Sequence, residues 1–126
     1  MSHKEPTMET NILQTWLQEK LFQHMPIGIA VIDREHRIVE ANKTFRRQFG
    51  DAAGRRCYEA YKKRSQMCES CLAAKTFSDG HIRHSFEKGF NSLGEPVEYL
   101  IYMTPVTPDD DTGREVLYIV QTIIDI

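Results

Sequence analysis

The chain has 126 residues, 40% hydrophobic and 27% charged, with a formal net charge of −2. That length suits one domain with its own core, excludes two ordinary domains, and with this composition excludes a disordered chain. No apolar run approaches the roughly 20 residues of a membrane span, the first ten residues are too polar for a secretory signal, and an odd number of cysteines excludes a closed disulfide framework, so cytoplasmic residence without membrane insertion is expected.

Residues 1–10 read as a disordered leader, with Thr10 or Asn11 able to cap a helix. Ile12, Leu13, Trp16, Leu17, Leu21 and Met25 then recur at helical spacing and predict an amphipathic helix over 11–25. Pro26 stops it, because the residue before a proline is pushed out of the α region. Ile27 to Ile32 is almost continuously apolar and reads as a strand buried on both faces. Asp33 to His36 supplies a polar turn, and Arg37 to Ala41 a second strand. From Lys43 the pattern is helical, with Phe45 and Phe49 four apart and Gly50 at the end. Residues 55–80 are short-helix and loop material closed by Gly80. His81–Phe90 is extended, 91–94 is a turn, Val97–Val106 a strong strand, 108–113 a hairpin loop, and Val116–Ile126 the last strand.

This order predicts an α+β fold with an antiparallel sheet. In the last strand Val116, Tyr118, Val120 and Ile124 alternate with Leu117, Ile119 and Ile123; in the strand before, Val97, Tyr99, Ile101 and Met103 alternate with Leu100 and Tyr102. Both sheet faces are therefore largely apolar. The central helices can cover one; the other must meet the first helix, a partner chain, or both. Charge is uneven: residues 34–64 hold most of the Lys and Arg, and 65–126 most of the Asp and Glu. Such a reversal reads as solvated surface, so no nucleic-acid partner is expected.

Cys57, Cys68 and Cys71 form a C-x10-C-x2-C pattern. Two cysteines so close can share one metal ion, with Cys57 as a third thiolate; the same residues could form a thiol/disulfide switch, favoured by Arg55, Arg56 and Arg64 nearby, or simply pack as small hydrophobes. A metal site would need a fourth ligand, such as His81, His84, Glu69, a water or a group from another chain. Asp109-Asp110-Asp111 lacks the rest of a calcium loop, and no nucleophile–base–orienter set is present, so an isolated enzyme is not expected.

The run Pro26-Ile27-Gly28-Ile29-Ala30-Val31-Ile32-Asp33, then Ile38-Val39-Glu40-Ala41-Asn42-Lys43-Thr44-Phe45, Phe49-Gly50, Gly54, Gly94, Pro105 and Gly113 resembles the PAS domain family over about residues 20–126. His36 stands where a glycine is common. The resemblance implies a five-stranded antiparallel sheet with short helices on one face, here residues 43–80, and an N-terminal amphipathic helix, with 26–126 as the sensor domain. The segments 54–59 and 67–71 resemble a cysteine-bearing subset of these domains from anaerobic bacteria. Some PAS sensors carry an iron–sulfur cluster on four cysteines; Cys57, Cys68 and Cys71 supply three. Residues 57–80 contain no His to ligate haem axially, and the flavin-type Asn-Cys-Arg motif does not occur, so haem and flavin are not expected. Asp125-Ile126 resembles the start of the ending after which such domains run into a signalling helix.

The resemblance implies a sensory and dimerisation module cut from a larger signal-transduction protein, a two-component histidine kinase above all. It would sense a small ligand, a metal or redox state and pass the change through the last strand to an effector domain. A homodimer through the first helix and the outer sheet face is expected. The alternative is a ligand-free protein–protein interaction module of a transcriptional or second-messenger regulator.

Overall fold

The computed structural model describes residues 7–51, 53–62, 71–108 and 115–126. Five strands form one antiparallel sheet in the order β2-β1-β5-β4-β3. They are β1 (Gly28–Ile32), β2 (Ile38–Ala41), β3 (Arg83–Phe90), β4 (Pro96–Val106) and β5 (Tyr118–Asp125). Three short helices, α3 (Lys43–Phe49), α4 (Cys57–Lys62) and α5 (Leu72–Asp79), follow β2 and supply the helical side of the core. The α+β sheet-and-helix architecture expected from the sequence is the one observed.

The helical leader differs in its bounds. α1 (Met8–Glu19) starts before residue 11 because Thr7, not Thr10 or Asn11, is the cap: its side chain accepts from the Thr10 amide at 3.1 Å. The helix also breaks once, at Lys20, before a single turn, α2 (Leu21–His24). Met25 is already extended, as Pro26 after it demands.

Alternation along the strands sorts the core. Ala30, Ile32, Tyr99, Ile101, Met103, Ile119, Gln121 and Ile123 are buried on the inner face, against Phe45, Phe49, Ala60 and Ala73 from the helices. The Phe45 and Phe49 rings lie 5.1 Å apart, and Phe49 meets Tyr99 edge-on at 6.1 Å. Two expectations are corrected. β1 is not buried on both faces: Ile29 and Val31, which point outward, are only half-buried. Val116 does not share a face with Tyr118, because it precedes the strand and turns into the core while Tyr118 is exposed. Most of the expected 108–113 hairpin lies outside the described residues.

At Gly28 a Cβ would meet the Gln48 Oε1 at 2.9 Å and the Phe45 Cα at 3.5 Å. The glycine thus lets α3 cross β1 at close range.

Candidate functional site

Asn42 organises the junction between β2 and the helices. It caps α3, with Oδ1 accepting from the Phe45 amide at 2.9 Å. The same Oδ1 accepts from the Ile29 amide at 2.9 Å, and Nδ2 donates to the Ile27 carbonyl at 2.9 Å. One fully buried amide therefore ties α3 to the first strand and satisfies three backbone groups. The cap on α3 is local, but the bonds to residues 27 and 29 depend on β1 lying beside it.

Inside the layer, Gln121 interrupts the apolar inner face of β5. It is fully buried, and its Nε2 lies 3.4 Å from the Met103 sulfur across the ladder. A buried amide on the sheet wall is the kind of polar group a small-molecule site uses for orientation. Sequence reasoning missed it because it assigned faces by apolar residues. A hollow of about 20 Å³, room for a single water, lies among Gln48, Phe49, Asn91, Tyr99 and Ile123, and Gln121 does not line it.

The cysteines take different places. Cys57 starts α4, with its side chain buried in the apolar core. Cys71 stands at the N-terminal end of α5, partly exposed and packed on the edge of the same core. Cys68 lies outside the described residues, as do Arg64 and Glu69. Among the described residues no three His, Cys, Asp or Glu side chains group as metal ligands. His81 and His84 are exposed and belong to the β3 side of the sheet. The His84 ring lies tilted against Tyr102, with centroids 5.1 Å apart.

At the other end of α5, Asp79 pairs with Arg83: Arg83 Nη1 donates to Asp79 Oδ1 at 2.7 Å and Nη2 to Oδ2. The His81 amide donates to Oδ1 at 2.9 Å. The Arg83 hydrogen bonds first, and the His81 amide second, hold the Asp79 carboxyl well below the usual carboxylate range. Buried Thr76 completes the corner, donating to the His81 carbonyl at 3.0 Å. A carboxyl with a depressed folded-state pKa contributes stability that is full above its ordinary value near 3.8 and is lost as pH falls below it. Asp79→Asn should therefore lower the urea midpoint at neutral pH and flatten its decline below about pH 4. Equal acid sensitivity in both proteins would refute this.

Among the described residues nothing covers the outer face of β3–β5. Phe86, Val106, Tyr118 and Ile124 are exposed there. α1 does not lie over it: no residue of α1 is buried, and Ile12, Leu13, Trp16 and Leu17 are all exposed. Trp16 stacks on His24 at 6.1 Å rather than anchoring the helix to the sheet. The expected covering of the sheet by the chain's own first helix is thus absent. Both apolar surfaces stay open.

Residues 17–77 match a family model described as a PAS domain. That match and the five-stranded sheet with its short helices make this a PAS-like domain. Solved structures agree on the fold. The PAS domain of an HTR-like protein from Haloarcula marismortui superposes with a TM-score of 0.69 at 19% identity, covering 94% of this chain and 97% of that one. An RNA-binding light-oxygen-voltage receptor gives 0.72 at 20% identity, over 99% of this chain but 36% of its own, so this chain spans about a third of that receptor. The LOV domain of a blue-light-activated histidine kinase from Erythrobacter litoralis gives 0.64 at 16% identity, over 82% and 98%. Among curated proteins none matches. The fold encloses one interior, between the inner face of the sheet and the helices α3–α5, and turns Phe86, Val106, Tyr118 and Ile124 of the outer face to solvent. No described helix of the PAS domain is long and apolar enough to cross a membrane.

Proposed function

We propose that this PAS domain is the sensory and dimerisation module of a larger cytoplasmic signal-transduction protein, with a histidine kinase as the effector class. The observation that carries the reading is the pair of uncovered apolar surfaces, the α1 stripe and the outer face of β3–β5. Neither finds a cover among the described residues, and in this reading each covers the other in a second copy. A change in the interior beside Gln121 would reach the outer face through β5, whose side chains alternate between the two. Such a signal requires an input that favours one of two arrangements. The histidine kinase among the structural neighbours supports the effector class. The domain itself carries no catalytic role in this reading, and it engages no nucleic acid.

For the cysteines we propose a thiol role. Cys71 is partly exposed, and Cys68 stands three positions before it, whereas Cys57 packs in the core. We place the redox-active pair at Cys68 and Cys71, with Cys57 as a packing residue. A second reading, a ligand-free interaction module, is favoured by the tightly filled inner layer around Phe45, Phe49 and Tyr99.

Sedimentation of the chain with and without residues 1–22 tests the assembly. The full chain should sediment as a dimer and the truncated one should change its size. A truncated chain of unchanged size and stability would overturn it. Thiol counting after mild oxidation tests the pair: loss of two thiols from the wild type and none from Cys71→Ser supports it, and equal counts in both remove it.

A further inference from the structure

His36 does not behave as a polar turn residue. It follows the β1 end in the turn to β2, yet it is only 7% exposed. Its backbone sits at φ 66°, a left-handed conformation that costs a side-chain-bearing residue energy and that glycine adopts freely. The turn is held there by the bond from the His36 amide to the Asp33 carbonyl at 3.0 Å. From this position the residue touches three elements at once. Its carbonyl accepts the Cys57 amide at 2.9 Å, at the first residue of α4. Its ring stacks on Phe77 of α5, centroids 5.9 Å apart. Its buried Nδ1 has no hydrogen-bond partner among the described residues.

We propose that His36 is an acid-sensitive latch: protonating its ring opens the junction between the β1–β2 turn and the helices α4 and α5. A neutral imidazole tolerates one bare acceptor nitrogen against an aromatic ring. An imidazolium must donate from both nitrogens, and here one donor would face no acceptor in an apolar site. The charged groups around it do not rescue it. From the turn, Asp33 is the favourable one, but its Oδ1 is already occupied by the Glu35 and Arg37 amides at 2.9 and 3.0 Å. Glu35 pairs with Arg37, outside on the surface. From the approach to α4, Arg56 adds like charge, held by its Nε bond to the Glu35 carbonyl at 3.2 Å, while Glu59 bonds the Arg56 amide. From α5 the contact is the uncharged Phe77 ring.

Burial first, with Arg56 adding to it and Asp33 opposing, pushes the His36 pKa below its ordinary 6.5. The sign follows: the unfolded or opened chain takes up the proton first, so the closed junction loses stability as pH falls through and below that ordinary value. The device is independent of the signalling role proposed above. It needs only the fold.

The test uses the whole chain. Hydrogen exchange at the Cys57 amide, corrected for intrinsic chemistry, should speed up by about tenfold or more between about pH 7 and about pH 5. His36→Asn keeps a residue that tolerates the left-handed backbone and removes the titration, so its Cys57 exchange should stay flat. A flat wild type, or an equal rise in the variant, overturns the latch. Should the variant fail to fold, ring NMR of the wild type decides. A His36 midpoint below the ordinary value, with Cys57 and Phe77 resonances moving together with it, supports the latch. Titration at the ordinary value with those two unmoved overturns it.

Discussion

Replacing Asn42 by alanine should unfold this protein more readily than any other single polar substitution in it. The fully buried amide caps α3 and meets three backbone groups, at Ile27, Ile29 and Phe45. A lost cap alone costs about 1 kcal/mol. Each buried backbone group left without a partner costs a further 1–3 kcal/mol, roughly, and the terms do not simply add. A total near 3 kcal/mol or more is expected, which for a domain of this size lowers Tm by about 10 °C. Asn42→Asp separates the contributions. It keeps the acceptor for the Ile29 and Phe45 amides but sets a carboxylate oxygen against the Ile27 carbonyl, so its loss should be of similar size with the α3 cap intact. Thermal unfolding, with amide exchange at Phe45 as the local readout, checks both. A drop of only a degree or two in Asn42→Ala would mean the three bonds are not held in solution.

The second large effect is on assembly. Leu13 is 56% exposed on α1, and Ile124 is 38% exposed on the outer face of β5. In an isolated chain, a charge at Leu13 would change stability by about 0.5 kcal/mol or less, whereas at Ile124, more than half buried, it would cost about 1–2 kcal/mol. In a dimer whose interface joins these surfaces, Leu13→Asp or Ile124→Asp places a charge in a desolvated apolar contact, and association should weaken by roughly 100-fold. The two readouts separate: the Leu13→Asp monomer unfolds much as before and the Ile124→Asp monomer somewhat earlier, while either dimer dissociates in sedimentation at micromolar concentration. A chain that is monomeric from the start, or a dimer indifferent to both substitutions, would sink the proposed interface. Loss in only one of the two variants would show that α1 and the outer sheet do not meet each other.

The elements themselves were legible along the chain. Period-two alternation in 97–103 and 119–123 sorted the strands into two faces without saying which is inner, and Phe45 and Phe49 at helical spacing marked a helix that covers one of them. Gly50 and Gly80 end their helices as expected, both at positive φ. The bounds were harder. Thr7 and Thr10 are equally good caps by residue type, and only the bond geometry chooses between them. Of the candidate site, the cysteine spacing was visible but the fates of the thiols were not: Cys57 is drawn into the core by the packing of α4, while Cys71 stays at its edge.

What the sequence by itself determined is whatever depends on near neighbours: the strand and helix periods, the proline stop before β1, the three thiols and their spacing, and the fact that apolar residues line both faces of the last strands. Only the tertiary structure decided what depends on distant residues meeting. It left the α1 stripe off its own sheet, brought Asn42 beside β1, put Gln121 among the inner apolar residues, and folded His36 inward against Phe77. The physical reason is the same in each case. Periodicity records which way a side chain points relative to its own backbone, but burial and hydrogen-bond partners are set by the element that packs against it, and that element lies tens of residues away.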